Sequence, residues 1–245
     1  MGRSLYHGAV RHQWPDQAVR LTRRALVPLA DEREAIAMAA YMKDVAPFLG
    51  VRSPARRRAL REAWRGLDTP TNDELGLAAL ALVAQREREY HYAASDLIEM
   101  YLSSTDETFL VEYVADLLTT RSWWDTVDGL GSSAVSPLCW RYDASELVLT
   151  WSASSDLWLN RAAIQHQRGW KHDTDIPFVL SICDAHSRSR EFFVAKAIGW
   201  ALRDIARLDA ESVRRFVAAR PYLHPVAVRE ARRGLGELRP VSRSD

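Results

Sequence analysis

The sequence predicts an all-α protein, because helix signals recur along the chain and strand signals do not. Four segments begin with residues typical of helix N-termini, namely Ser53-Pro54, Thr71–Glu74, Ser104–Glu107 and Asp143–Glu146. In the last three, a capping residue stands three positions before Glu, which is the spacing of a capping box. In the first, a serine cap is followed by proline at the first helical position. No alternating apolar run bounded by turn dipeptides predicts a hairpin.

The segments behind these starts carry apolar residues at helical spacing. They include Leu75–Val83, Phe109–Leu118 and Phe192–Ile205. About a dozen helices in antiparallel pairs, one pair about every 35–45 residues, predict a HEAT-like or armadillo-like helical-repeat solenoid with a concave face. The alternative is a compact, irregular all-α domain. Because the loops are short and no Gly/Ser-rich or Pro-rich linker interrupts them, we expect one domain over residues 1–245.

Composition places the chain among ordinary globular proteins. Hydrophobic residues make up 47% and charged residues 27% of its 245 positions, which excludes a disordered chain. No apolar run reaches the roughly 18 residues that span a bilayer, and the first residues lack a signal-peptide core. Cys139 and Cys183 are too few and too far apart for a disulfide scaffold or a zinc cage. We therefore expect a cytoplasmic protein with no membrane partner.

The net charge of +1 conceals a strong asymmetry along the chain. Residues 1–67 carry a balance of +7, residues 68–160 of −12 and residues 161–245 of +6. Two basic ends that converge on one ligand would suit a polyanion. Arginine accounts for 30 of the 33 basic residues, which favours bidentate phosphate contacts, although a GC-rich genome explains the same bias.

Several chemistries leave no signature in the sequence. Gly129-Leu130-Gly131 lacks the spacing and the preceding strand of a phosphate-binding loop. There is no His-Glu-x-x-His, the seven histidines show no metal-ligand spacing, and no Gly-x-Ser-x-Gly elbow occurs. We therefore expect neither a metal nor another cofactor, and we exclude a serine hydrolase.

Three predicted helical faces combine tryptophan with charge or polarity. The first joins Trp124 to Asp128, four residues apart, on a helix that Ser122 would cap. The other two are the sets Trp158, Arg161, Gln165, Arg168 and Lys196, Trp200, Arg203, Arg207. Each face alone is typical of an amphipathic helix with solvated charges. Together they favour a nucleic-acid surface, in which cations meet phosphates and aromatic rings form platforms.

At these residues the sequence resembles the AlkD-type DNA alkylation-repair glycosylases, which are built of HEAT-like repeats. The matching blocks run in the family's order over nearly the whole chain. They are Tyr41-Met-Lys-Asp44 with Phe48-Leu-Gly50 and Ser53-Pro54, Ser122-Trp-Trp-Asp-Thr-Val-Asp128, Trp158-Leu-Asn-Arg161-Ala-Ala-Ile164, Phe192-Phe-Val-Ala-Lys-Ala-Ile-Gly-Trp-Ala-Leu-Arg203 and Pro225-Val-Ala-Val-Arg-Glu-Ala231.

The resemblance implies a site and a substrate. It makes Asp128 the catalytic carboxylate, with Trp124 and Trp200 beside the lesion nucleotide. It implies DNA contacts by Tyr41, Arg52, Ser53, Arg57, Arg161, Arg203, Arg168 and Lys171. The family's substrates are N3- and N7-alkylated purines in duplex DNA, including bulky adducts for some members, and the base stays largely stacked instead of entering a pocket.

The expected chemistry suits these residues. An alkylated purine already carries positive charge, so it leaves without a general acid through an oxocarbenium-like sugar. Asp128 would stabilise that cation and position water, the two indoles would add cation–π attraction, and Arg161 and Arg203 would grip phosphates. We thus expect a monofunctional glycosylase that acts as a monomer.

Two other functions fit the same pattern. One is a HEAT-like protein that binds damaged or branched DNA without catalysis, since relatives without the aspartate have lost base excision. The presence of Asp128 favours the enzyme. The other is a protein-binding solenoid, which would show no salt-dependent affinity for DNA.

Overall fold

The computed structural model describes residues 13–237, and within them the chain is helical with no strand. The α-helices are α1 Gln13–Leu26, α2 Glu32–Tyr41, α3 Ser53–Trp64, α4 Asn72–Val83, α5 Arg88–Tyr101, α6 Glu107–Thr119, α7 Trp124–Leu130, α8 Ser136–Arg141, α9 Ser145–Ser152, α10 Leu157–Gln165, α11 Ile176–Ala185, α12 Phe192–Ile205, α13 Ala210–Ala218 and α14 Pro225–Gly234. The all-α prediction is confirmed. In this part of the chain, no helix has both the length and the apolar character that crossing a bilayer requires.

The described residues form two compact units that divide after Phe109. In the first unit, α1 packs against α3 and α4, and α4 packs against α5. Its core includes Trp64, whose indole N–H donates to the hydroxyl of Thr22 at 3.1 Å, so the buried ring leaves no unpaired donor. Packing between helices close in sequence is the pattern of helical-repeat proteins. That the whole chain acts as a single domain stays a prediction.

A buried carboxylate shapes the loop that leads into α3. Glu89 accepts the three successive backbone N–H groups of residues 49–51 at 2.8, 2.9 and 3.0 Å. Gly50 lies at φ +87°, and a Cβ there would stand 2.0 Å from the carbonyl oxygen of Asp31. Glycine is therefore required at this position, and the loop delivers the start of α3 in a fixed orientation.

In the second unit, α12 is the central helix. It packs against α14 most extensively and also against α10, α11 and α13, while α10 contacts α7 and α9. A π-helical turn, Gly131–Val135, joins α7 to α8. Such turns re-aim the residues beside them, and this one follows the helix that carries Asp128.

The predicted helix starts are correct at one position and displaced elsewhere. The capping box of α4 is present: the N–H of Glu74 donates to the Thr71 hydroxyl at 3.3 Å, and the N–H of Thr71 donates to Glu74 Oε2 at 2.9 Å. Helix α3 begins at Ser53 itself, with Arg52 as its N-cap, so the predicted serine cap is wrong by one residue.

The other two predicted capping boxes do not form. At the start of α6, Asp106 instead of Ser104 accepts a backbone N–H, that of Thr108 at 2.8 Å. Helix α9 begins at Ser145, whose N–H donates to Asp143 at 3.1 Å, so the residue at the N-cap is Ala144. At α6 a neighbouring aspartate replaces the predicted cap, and at α9 the predicted cap, Asp143, accepts from a residue two positions later instead of three.

Candidate functional site

A bidentate ion pair joins α7 to α10 in the second unit. Arg161 donates from Nε to Asp128 Oδ1 at 2.9 Å and from Nη2 to Oδ2 at 2.8 Å. Its Nη1 donates to the carbonyl oxygen of Phe193 at 2.7 Å. The side chain of Arg161 is 1% exposed and that of Asp128 is 15% exposed. The carboxylate is thus held in a fixed plane and still reaches solvent.

In this geometry Arg161 is committed to partners within the protein, and its contact with a DNA phosphate stays a prediction. All three guanidinium nitrogens donate within the protein, and the side chain is buried. The reason is the packing of α10 against α7 and α12, which turns position 161 inward. In this arrangement Arg161 holds the Asp128 carboxylate.

Trp200, on α12, is surrounded by cations. The guanidinium carbons of Arg161 and Arg168 lie 5.1 and 5.0 Å from its ring centroid, and Lys196 Nζ lies 5.6 Å away. These are cation–π distances. The ring remains half-exposed, so it is fixed next to the arginine that holds Asp128 while one part faces solvent.

The other tryptophans of the site have separate roles. Trp124 begins α7, one helical turn before Asp128, and is half-exposed. The N-cap of α7 is Trp123, so the predicted cap at Ser122 is wrong: that hydroxyl donates back to the carbonyl of Leu118 at the end of α6. The physical reason is that Ser122 completes the preceding helix before α7 begins.

An aromatic cluster joins the starts of α7, α10 and α12. The ring centroids of Trp123, Trp158 and Phe193 lie 4.9–5.7 Å apart. Trp158, which the sequence placed on a face with cations, therefore packs against other rings. This cluster holds the start of α7, the helix that carries Trp124 and Asp128, against the start of α10.

A cavity of about 580 Å³ lies beside Trp200, between the segment after α10 and the end of α12. Its floor includes Ile164, Val179, Ile205 and Leu208, and its cationic rim includes Arg168, Lys171, Arg203 and Arg207. The left-handed backbone at Gly169 (φ +91°) and Lys171 (φ +55°) turns the loop along this rim. Three of the predicted DNA contacts, Arg168, Lys171 and Arg203, thus gather at one place.

The remaining predicted contacts lie in the first unit. Tyr41 ends α2 and is exposed. Arg52 pairs with Glu34 at 2.8 Å and keeps most of its side chain in solvent, as does Arg57, which reaches Asp96 at 3.2 Å. Ser53 accepts a hydrogen bond from the buried Arg56, and its hydroxyl hydrogen remains available as a donor.

Comparison with known proteins identifies the family. A family model described as DNA alkylation repair enzyme matches residues 22–235. The chain belongs to the DNA alkylation repair enzyme family. A solved structure titled "Predicted DNA alkylation repair enzyme from Enterococcus faecalis" has a similar fold, with a TM-score of 0.73 and 24% identity over 85% of this chain and 98% of that one. No curated protein matches the chain.

Membership gives this protein a role in DNA repair, and it confirms the resemblance drawn from the sequence. It also fits the fold, because the similar structure covers most of the chain.

Sequence reasoning missed two residues of the site. Gln165 Nε2 lies 3.5 Å from Asp128 Oδ1, and Glu230 bonds both Lys196 and Arg203. Gln165 stood on a predicted face, and Glu230 stood in a matched block, but neither had an assigned role. Their partners lie 27 to 37 positions away along the chain, beyond the reach of helical periodicity.

The described residues offer no group of three or more His, Cys, Asp or Glu side chains that could hold a metal ion. The thiols are inert as well, because burial raises the pKa of both Cys139 and Cys183 to about 12. Burial lowers the pKa of His166 to about 4, so this imidazole is neutral at physiological pH.

Proposed function

We propose that this protein is a monofunctional DNA glycosylase that hydrolyses the N-glycosidic bond of N3- and N7-alkylated purines in duplex DNA. The observation that carries the proposal is the Asp128 carboxylate. Arg161 fixes it, its side chain is 15% exposed, it lies on the helix that begins with Trp124, and its arginine contacts the ring of Trp200. A fixed anion with indoles nearby suits a reaction that develops positive charge on a sugar.

Asp128 would act through its charge and its position. Each carboxylate oxygen has lone-pair capacity beyond its bond to Arg161. The exposed edge would stabilise the oxocarbenium-like sugar and orient a water toward C1′. The leaving purine is cationic, so no general acid is needed. Trp124 and Trp200 would face the same positive centre.

Backbone contacts would come from exposed cations in both units. Around the cavity these are Arg168, Lys171 and Arg203, and in the first unit they are Arg52 and Arg57. Tyr41 and Ser53 would add a ring and a hydroxyl. Arginine suits bidentate phosphate contacts, and neutralisation of several phosphates makes duplex affinity fall steeply with salt. We expect the protein to act as a monomer.

One observation favours a second candidate, a protein that binds damaged or branched DNA without catalysis. Arg161 bonds both oxygens of Asp128, which neutralises the charge that catalysis would use. In that function the pair would serve only to join α7 to α10.

The test is single-turnover release of free base from a duplex that contains one 7-methylguanine, at enzyme excess. The glycosylase predicts free 7-methylguanine and an abasic site in an unbroken strand, with no effect of EDTA and no release of guanine from an undamaged duplex. Absence of release, with salt-sensitive duplex binding intact, would contradict it in favour of the second candidate. Absence of salt-sensitive binding would contradict both.

A further inference from the structure

A buried carboxylate on α14 binds cations on both sides of Trp200. Glu230 is fully buried and accepts from Lys196 Nζ at 2.8 Å, from Arg203 Nη1 at 3.2 Å and from Arg233 Nη1 at 2.9 Å. On α12, Lys196 lies four residues before Trp200 and Arg203 lies three residues after it. One carboxylate therefore joins the two cations that flank the indole.

Two glycines let the helices approach closely enough for this contact. A Cβ on Gly199 of α12 would lie 2.8 Å from Glu230 Cβ and 3.1 Å from the Cα of Ala227. A Cβ on Gly234 of α14 would lie 2.8 Å from the Cα of Arg203. With one glycine on each helix, α14 sits directly against α12, and the short side chain of Glu230 reaches Lys196 and Arg203.

The charge balance of the cluster is positive. Burial raises the pKa of Glu230, but the hydrogen bond and charge of Lys196, with the charges of Arg233 and Arg203, outweigh it and lower the pKa overall. One anion meets three cations, so two positive charges are uncompensated. The side chains of Lys196 and Arg203 are 25% and 32% exposed, and each has further N–H donors.

We propose that Glu230 is a positioning residue of the DNA-binding site, which holds Lys196 and Arg203 on either side of Trp200 so that both meet backbone phosphates. Arg203 Nε is buried and has no hydrogen-bond partner among the described residues, a rare condition in folded proteins that an additional bound group would relieve. The effect of Glu230 on base release rests on the proposed function, whereas its effect on duplex binding does not.

A simple charge-neutralising role predicts the opposite sign. Glu230→Gln removes one negative charge, so neutralisation alone predicts tighter binding to undamaged duplex and an unchanged or steeper salt dependence. If Glu230 positions the two cations, Glu230→Gln leaves Lys196 and Arg203 without the carboxylate that holds them. The slope of log affinity against log salt then falls by about 1 to 2, because each lost phosphate contact removes about 0.9. The single-turnover release rate falls about tenfold.

Two controls separate position from charge. Glu211→Gln removes the same charge from exposed α13, where Glu211 pairs with Arg214 and Arg215, and it should leave the slope unchanged. In a Lys196→Met, Arg203→Met background, Glu230→Gln should have no further effect on slope or release. An added loss in that background would show that Glu230 acts through the fold, and it would overturn the proposal.

The unmodified protein provides a test that needs no stable variant. The chain has three lysines, Lys43, Lys171 and Lys196, so its lysine ammonium NMR signals can be assigned one by one. The proposal predicts that Lys196 exchanges slowly in the free protein and that its signal shifts when undamaged duplex is added. A Lys196 signal that duplex leaves unmoved would contradict it. If no variant and no native protein releases base, the proposed function fails, and the slopes and the Lys196 signal still decide the role of Glu230.

Discussion

The two units each contain a carboxylate held by an arginine that lies over an aromatic ring. In the first unit, Asp96 on α5 is bonded by Arg56 and Arg57 of α3, and Arg56 lies 4.9 Å from the ring centroid of Tyr92. In the second unit, both oxygens of Asp128 bond Arg161, which lies 5.1 Å from the ring centroid of Trp200. The two clusters contain the same kinds of side chain, but their balance of positive and negative charge differs.

That difference in charge balance distinguishes a structural ion-pair cluster at Asp96 from a candidate functional site at Asp128. Asp96 meets two cations, one on each oxygen, so its charge is more than compensated. Asp128 meets a single arginine, which bonds both of its oxygens, so the pair has no excess positive charge. Removing parts from the two clusters should therefore have different consequences.

The largest expected effect on stability comes from the arginines. Arg161→Met leaves a mostly buried carboxylate without its ion-pair partner, so we expect the free energy of unfolding to fall by about 3–5 kcal/mol. Arg56→Met leaves Asp96 with Arg57, and the loss should be smaller, about 1–3 kcal/mol. Urea titrations of both variants measure the difference. Equal losses would contradict the distinction between the clusters.

The next largest effect is a loss of folding stability at acidic pH. His166 has a lowered pKa, about 4, so the folded protein binds fewer protons here than the unfolded chain does. Its contribution to stability is full above the unfolded pKa and is lost as the pH falls from about 6.5 toward 4. Between pH 7 and pH 5 the stability difference between the native protein and His166→Leu should therefore shift against the native protein by about 2 kcal/mol.

Urea unfolding at both pH values tests this expectation. A variant of the exposed His172, His172→Gln, is the matched control and should follow the native protein. If the stability difference between the native protein and His166→Leu is the same at pH 7 and pH 5, the buried imidazole does not resist protonation.

The smallest effect concerns the rings under the two arginines. Trp200→Leu removes cation–π attraction at the site, worth roughly 0.5–2 kcal/mol, so single-turnover base release should slow by about 2- to 30-fold. Tyr92→Leu removes the corresponding ring at Asp96 and should leave the release rate unchanged. A slowing of the same size in both variants would remove the functional distinction between the rings.

Most of the fold and part of the candidate site could be predicted from the sequence. Local signals such as the Thr71 capping box and the apolar spacing of α12 are properties of adjacent residues, and the structure contains both. The cationic face around Trp200 was also predicted, because Lys196 and Arg203 share its side of one helix. The resemblance to the repair family was confirmed by the family model.

The features that could not be predicted from the sequence depend on partners that are far apart along the chain. Arg161 was expected on the surface, because helical spacing defines a face without saying whether another helix covers it. Glu230 had no role until α14 was seen against α12, a contact that two glycines permit. Ser122 was assigned as a cap, although the preceding helix takes its hydroxyl. Boundaries and ion pairs are decided by competition between neighbours in space.

The most direct test of the account compares Asp128→Asn with Asp96→Asn in single-turnover release of 7-methylguanine from duplex DNA. Both changes are isosteric and remove one charge from an arginine-bound carboxylate. We expect Asp128→Asn to lower the rate by about 10²-fold or more while the variant remains folded and binds duplex. Asp96→Asn should retain the native rate, and both variants should be less stable than the native protein, because each change removes the anion that a buried arginine pairs with. Full activity in Asp128→Asn, or equal loss in both variants, would contradict the assignment of Asp128 as the catalytic carboxylate.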